Sequence, residues 1–161
     1  MKKIILVIAI VIVLLIGAVF AGGYFYLYQK IGKIKQVDID QNEIEITEGV
    51  EESLEEYRNI ALLGIDSRED NYNRGNRSDC IIIARINNKT KQVKLVSVYR
   101  DTYLELTGRD LDKVTHAYSF GGPALTLSTL NTNLDLNIKD FVTVNFEALK
   151  EIVEEIRRYQ N

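Results

Sequence analysis

The 161-residue sequence predicts an α/β (α+β) sandwich, a central mixed sheet flanked by helices, preceded by one N-terminal transmembrane helix. Three observations carry this expectation. The chain opens on a long apolar run free of charge. Short β-type apolar runs recur from Asn59 onward. Helix-type patterns follow them, and strands followed by helices build a sheet with both faces covered.

The first element is the N-terminal helix. "MKKIILVIAIVIVLLIGAVFAGGYFYLYQK" begins with Lys2 and Lys3, then carries no charge from Ile4 to Gln29. About 20 apolar residues in a helix cross a bilayer core at roughly 1.5 Å per residue. Tyr24, Tyr26 and Tyr28 stand where an interfacial aromatic belt sits. The two lysines put the N-terminus in the cytoplasm and the rest outside. A cleaved signal peptide is the competing reading, with "VFA" at 19–21 as its small-residue site. Such peptides have apolar cores of roughly 7–15 residues, shorter than this one. The expectation is a single-pass cell-membrane protein with an extracellular domain. Its segments are a cytoplasmic start and anchor (1–28), an acidic extracellular stalk (29–57) and a folded domain (58–161).

Charge supports that division. Residues 29–57 hold three lysines against nine acids, whereas residues 58–161 hold 15 Lys/Arg against 14 Asp/Glu. In the stalk, Val37/Ile39 and Ile44/Ile46 alternate as a weak extended pair, and "TEGVEESLEEY" suits a short helix. A solvated spacer is the expected state. The overall net charge of −3 argues against a nucleic-acid binder, and no nucleic-acid partner is expected. Cys80 is the only cysteine, so no intrachain disulfide forms. Its place before "IIIARI" suggests a small buried hydrophobe in a strand.

Within the domain, "IALLGID" reads as a first buried strand and "DCIIIARIN" as a second. "NNKT" is a turn and "KQVKLVSVYRD" a third strand. "GGPALTLSTLNTNL" reads as a helix with Pro123 in its first turn and glycines before it. "DFVTVNF" is a fourth strand. "EALKEIVEEIRRY" is an amphipathic helix, its Leu149, Ile152, Val153 and Ile156 recurring at three and four.

Polar residues gather at the strand ends. Asp66 and Arg68 follow the first strand, and Arg100 and Asp101 follow the third. Arg77 and Asp79 precede the second, which places them at the same edge if the first two strands are antiparallel. Lys113 and His116 lie just before the helix. Sheet ends of this kind gather ligand-binding groups. Carboxylates hold a hard cation such as Mg²⁺, which also bridges substrate phosphates. Arginines clamp phosphate oxygens through paired hydrogen bonds. Together they suit a pyrophosphate, whose transfer depends on positioning and charge neutralisation. Surface ion pairs within Asp66–Arg68 and Arg100–Asp101 explain the spacing equally well. The lone His116 reads as a packed or helix-start residue. "FGGP" is neither a P-loop nor a dinucleotide fingerprint.

Four motifs in order, "LLGIDSRE…RSD", "VKLVSVYRDTYLEL", "DKVTHAYSFGG" and "DFVTVNFEALKEIV", resemble the LytR-CpsA-Psr (LCP) family over roughly residues 59–153. The resemblance implies a Mg²⁺-dependent phosphotransferase of the cell envelope. It would attach a teichoic acid or capsule glycopolymer, carried on an undecaprenyl-pyrophosphate-type lipid, to peptidoglycan. By analogy Asp66 and Asp79 hold the metal. Arg68, Arg77, Arg100 and Lys113 meet the pyrophosphate, and Asp66, Arg68, Arg100 and Asp101 form the catalytic set. Helices after Phe120 would cover a lipid groove. A non-catalytic module binding polyprenyl phosphate, or an attenuator-type regulator of envelope genes, is the alternative. Two departures stand out. Tyr99 replaces the family's usual proline before Arg100-Asp101, and the chain ends at "EEIRRYQN" where the family continues. The resemblance therefore implies a partial catalytic domain with reduced or no activity.

Overall fold

The computed structural model describes residues 2–31, 37, 39–67, 72 and 75–159. It comprises two compact units, residues 1–38 and 39–161. The first holds α1 (Lys2–Ile31), one 30-residue helix. Its unbroken run of described side chains covers residues 12–26. Among the described residues, no helix is long and apolar enough to cross a membrane, so the expected transmembrane span is not established by them.

The second unit is a mixed α+β domain. A 3₁₀ turn (Gln41–Glu43) and a one-turn helix α2 (Val50–Ser53) lead into β1 (Tyr57–Ile65) and β2 (Ser78–Asn87). Then come β3 (Val93–Val98) and a short hairpin of β4 (Tyr103–Glu105) and β5 (Leu111–Lys113). Helix α3 (Val114–Leu134), β6 (Asp140–Val144) and α4 (Phe146–Tyr159) complete it. The main sheet has the order β3-β2-β1-β6. β2 runs antiparallel to both β1 and β3, and β6 runs parallel to β1. The sheet is therefore mixed, with α3 as the crossover that a parallel pair requires.

Period two sets the faces. Asn59, Ala61, Leu63 and Ile65 point one way with Ile81 and Ile83, their register partners and neighbours. Val114, Tyr118, Leu127 and Leu130 of α3 close over them, and all four are fully buried. Burying a Leu or Ile side chain stabilises by about 1.5–3 kcal/mol, so this layer carries the fold. The opposite face holds Leu62, Ile82, Leu95 and Val142, with Leu95 and Val142 at least half exposed. The expected cover on both faces is thus present on one. Cys80 lies on the open face beside Gly64 and is exposed, not buried, because the alternation places it opposite Ile81.

Two further expectations change. The stalk expected over residues 29–57 is not a solvated spacer in its second half, because Ile44 is buried in the core, with Ile39 and Ile46 packed against it. The Ser128 and Asn131 side chains of α3 explain this. Glu45 N–H donates to Ser128 Oγ at 3.0 Å, Ser128 Oγ donates to the Glu43 carbonyl at 3.1 Å, and Asn131 Nδ2 donates to the Glu45 carbonyl at 3.2 Å. Second, α3 begins one full segment earlier than Pro123. Gly122 breaks it with φ 67° and ψ −152°, a conformation open to glycine but strained for other residues. Pro123 then starts the second segment, where its missing N–H costs nothing.

Candidate functional site

The site is built at the edge where β1 ends, β2 begins and β3 ends. Antiparallel pairing of β1 with β2 puts Asp66, just past Ile65, beside Arg77 and Asp79. The Asp66 N–H donates to the Arg77 carbonyl at 3.1 Å. The register steps here from Gly64↔Cys80 to Ile65↔Ser78, so Asp79 is the extra residue of a β-bulge. Strict alternation would turn Asp79 toward the core. The bulge buries Ser78 instead and leaves the Asp79 carboxylate partly exposed at the edge. Gly64 permits this close approach, since a Cβ there would lie 2.9 Å from Cys80 Cβ.

β3 delivers Arg100 to the same edge through the pair Ile81↔Val98. Arg100 Nη1 donates to Asp79 Oδ1 at 2.8 Å, and its Nε lies 3.8 Å from Asp101 Oδ2. Lys113 Nζ sits 2.7 Å from Asp101 Oδ1. The result is an alternating chain of charges, Asp79–Arg100–Asp101–Lys113. Lys113, followed by Arg100 and His116, holds the Asp101 carboxyl below its ordinary range, with desolvation opposing.

The turn that carries Arg100 is locked to α3. Thr102 N–H donates to Tyr99 O at 2.9 Å. Val114 and Thr115 N–H groups donate to the Thr102 and Arg100 carbonyls at 2.9 and 3.1 Å. Helix N-termini leave their first N–H groups without intrahelical partners. Here the turn supplies two of them, so these groups fix Arg100 in place and are not available to an anion. The same helix segment holds the other flank. Tyr118 donates its hydroxyl to the Tyr72 carbonyl at 2.8 Å, and burial pushes its phenol pKa up, keeping the donor proton. Ser119 Oγ donates to Asn76 O at 3.0 Å and Gly75 N–H donates to Ser119 O at 3.1 Å.

Of the residues expected from the sequence, Asp66, Arg77, Asp79, Arg100, Asp101 and Lys113 reach this edge. Arg68 lies outside the described residues. The Asp66 carboxylate and the Arg77 guanidinium are exposed and have no ion-pair partner among the described residues. Lys113 lies just before the helix, as expected, at its N-cap position, whereas His116 lies inside its first turn. His116 Nδ1 is 2.8 Å from Asp112 Oδ2, and Asp112 Oδ1 accepts from the Lys113 N–H at 2.7 Å. The His116 contact, with the Lys113 N–H second, keeps the Asp112 carboxyl below its ordinary range. Sequence reasoning passed over Asp112. Its four-residue spacing to His116 was the available signal, unread because the helix was placed too late.

The donor set suits a small hard cation. Mg²⁺ is usually held by one or two carboxylates together with substrate phosphates and water. Asp66 and Asp79 are two carboxylates at one edge, and the Ser78 hydroxyl between Arg77 and Asp79 is buried without a partner among the described residues. No cluster of three or more His, Cys, Asp or Glu side chains is present among the described residues.

A mixed sheet whose edge gathers carboxylates and arginines on antiparallel strands is the class defined so far. The LytR_cpsA_psr family profile matches residues 22–157, and the chain belongs to this family. It is 38% identical over 151 residues to the polyisoprenyl-teichoic acid–peptidoglycan teichoic acid transferase TagU of Bacillus cereus strain AH820, covering 88% of this chain and 48% of that protein. It is 35% identical over 166 residues to the TagU of Enterococcus faecalis strain V583, covering 96% and 51%. The chain therefore spans about half the length of these relatives. Its fold is similar to TagT with bound octaprenyl pyrophosphate lipid, with a TM-score of 0.57 and 29% identity over 76% of this chain and 43% of that one. TagT bound to LI-WTA gives a TM-score of 0.58 and 30% identity over 76% and 42%.

Proposed function

We propose that this chain carries the metal-and-pyrophosphate part of a cell-envelope glycopolymer phosphotransferase. Its substrate would be a teichoic-acid-type or capsule polymer on a polyprenyl pyrophosphate, and its acceptor peptidoglycan. The observation that carries the reading is Arg100, held against Asp79 by a turn bonded to α3, at the edge where the Asp66 N–H donates to the Arg77 carbonyl. Arginine recognises phosphate oxygens through a planar fork of donors, and a fixed fork spares the ordering cost on binding. Arg100 and Arg77 bind the pyrophosphate, joined by Arg68, which follows Asp66 by two residues in the sequence. Asp101 orients Arg100 and Lys113 and so acts as a positioning residue. Asp66 and Asp79 hold Mg²⁺, which when bound neutralises charge on the pyrophosphate and its leaving phosphate.

We also propose that α1 anchors the chain, with the N-terminus cytoplasmic and the domain outside. Thirty helical residues extend roughly 45 Å, and the sequence is free of charge from Ile4 to Gln29 behind two lysines.

Calorimetric titration of the full chain in detergent tests the site. Inorganic pyrophosphate should bind in the presence of Mg²⁺ and at least ten-fold more weakly in Arg100→Ala and in Asp66→Asn. Both residues are exposed and the Arg100–Asp79 pair is half-exposed, so melting temperatures should barely move. Pyrophosphate binding that is absent from the wild type, or equal in the variants, would sink the reading.

A further inference from the structure

The sheet face turned away from α3 has the make-up of a covered face, yet the described residues leave much of it open. Register puts Ile60, Leu62, Ile82, Ala84, Leu95 and Val142 on it. A sheet with one solvated face alternates apolar and polar residues, whereas strands covered on both faces read as near-continuous apolar runs. β1 and β2 are runs of the second kind. Even so, Leu95 is 65% exposed, Val93 on the same face is 56% exposed and Val142 is 50% exposed. Helix α4 packs against β6, the edge strand of this sheet. It carries an apolar stripe of its own, in which Phe146, Leu149, Ile152, Val153 and Ile156 are each about half exposed.

We propose that a second copy of this chain covers this surface, sheet against sheet, in a twofold-symmetric dimer. The pairing is independent of the phosphate chemistry above. Its size fits. Eight half-exposed large side chains offer about 800 Å² per copy, the amount that a standard stable interface buries on each partner. The largest apolar patch of a typical monomer is smaller, roughly 300–600 Å². Its charge fits as well. A twofold interface uses the same patch on both subunits, so the patch has to tolerate itself. Arg58 and Asp140 are the charged residues that register puts on this face, and they pair with each other at 2.9 Å. The face is therefore apolar and neutral, and a copy meets no uncompensated like charge on its twin. Two such sheets stack about 10 Å apart with their strands within roughly 30° of each other.

A bilayer surface is the poorer occupant. Helices that lie on lipid present a polar side rich in lysine and arginine. The polar side of α4 holds Glu147, Glu151, Glu154 and Glu155.

The test uses the full chain reconstituted at high dilution in phosphatidylcholine vesicles, with donor and acceptor dyes on the N-termini of separate copies. Energy transfer between copies should appear in the wild type. Leu95→Lys and Val142→Lys should each weaken it at least ten-fold, because each brings two lysines into an apolar interface. Both positions are exposed in the single chain, so both variants should keep the far-ultraviolet dichroism of the wild type. Val96→Lys is the control. Val96 is 54% exposed on the opposite face of the same strand, so its variant should keep the transfer. Cys80 gives a second readout, since it is the only cysteine and lies on the face to be covered. Its alkylation by N-ethylmaleimide should run at least five-fold faster in Leu95→Lys than in the wild type. No transfer in the wild type overturns the proposal. So does transfer that persists in both Leu95→Lys and Val142→Lys, which would place the contact elsewhere in the chain. Equal Cys80 labelling in Leu95→Lys and wild type overturns it too.

Discussion

Asn131→Ala should be among the most damaging single substitutions in this domain. Asn131 is fully buried in α3 and its side chain makes three hydrogen bonds. Its Nδ2 donates to the carbonyls of Glu45 and Ile138 at 3.2 and 3.0 Å, and its Oδ1 accepts from the Ile138 N–H at 2.8 Å. Ile138 is itself fully buried, so truncation strands its N–H and its carbonyl away from water. Glu45 is exposed, so its carbonyl can turn to solvent. Two stranded groups at about 1–3 kcal/mol each give a loss of roughly 2–6 kcal/mol. Against a total stability of about 5–15 kcal/mol, that is a large fraction. Asn133→Ala is the control. Asn133 donates to Glu105 and Thr129 carbonyls at 2.8 Å but is only half-buried, so water replaces its bonds and the loss should stay below about 1 kcal/mol. Urea melts of both variants measure the difference. Hydrogen exchange should show faster amide exchange at residues 43–46 in Asn131→Ala. A loss equal to that of Asn133→Ala, with unchanged exchange at 43–46, would refute the reasoning.

Gly64→Ala should destabilise by about 1–3 kcal/mol in thermal melts, because the new Cβ meets Cys80 Cβ at 2.9 Å beside the bulge. Cys80→Gly in the same chain should recover most of it, and failure of the pair to recover would place the strain elsewhere. The Lys113–Asp101 pair should survive mild acid. Asp101 titrates below the ordinary carboxylate range, so its contribution is complete above the unfolded value and is lost as pH falls through the lowered one. An NMR titration of the Asp101 carboxyl in wild type and Lys113→Met should show the midpoint rise in the variant. An unchanged midpoint would remove Lys113 as the cause.

Much of the fold was legible because it rests on local pattern. Apolar runs of strand length marked β1, β2, β3 and β6, and the three-and-four spacing of Leu149, Ile152, Val153 and Ile156 marked α4. The β4–β5 hairpin was not legible, since three-residue strands carry too little periodicity to register. The first segment of α3 was hidden by Gly121, Gly122 and Pro123, which read locally as a helix start and are a kink within a longer helix. Residues 29–57 read as a spacer because their acidity outweighs their few isoleucines. Ser128 and Asn131, nearly ninety residues later in the chain, decide that they pack.

The candidate site divides in the same way. Residue type and order alone put Asp66, Arg77, Asp79, Arg100, Asp101 and Lys113 at strand ends and named the family that the comparison then showed. Sequence alone also implied that carboxylates and arginines at such ends suit a metal and a pyrophosphate. Only the tertiary structure decided which of them pair. Antiparallel β1–β2 pairing brings Asp66 to Asp79, a bulge keeps Asp79 out of the core, and the first turn of α3 fixes Arg100. Hydrogen-bond partners from distant segments are set by register and packing, which no local stretch of sequence encodes.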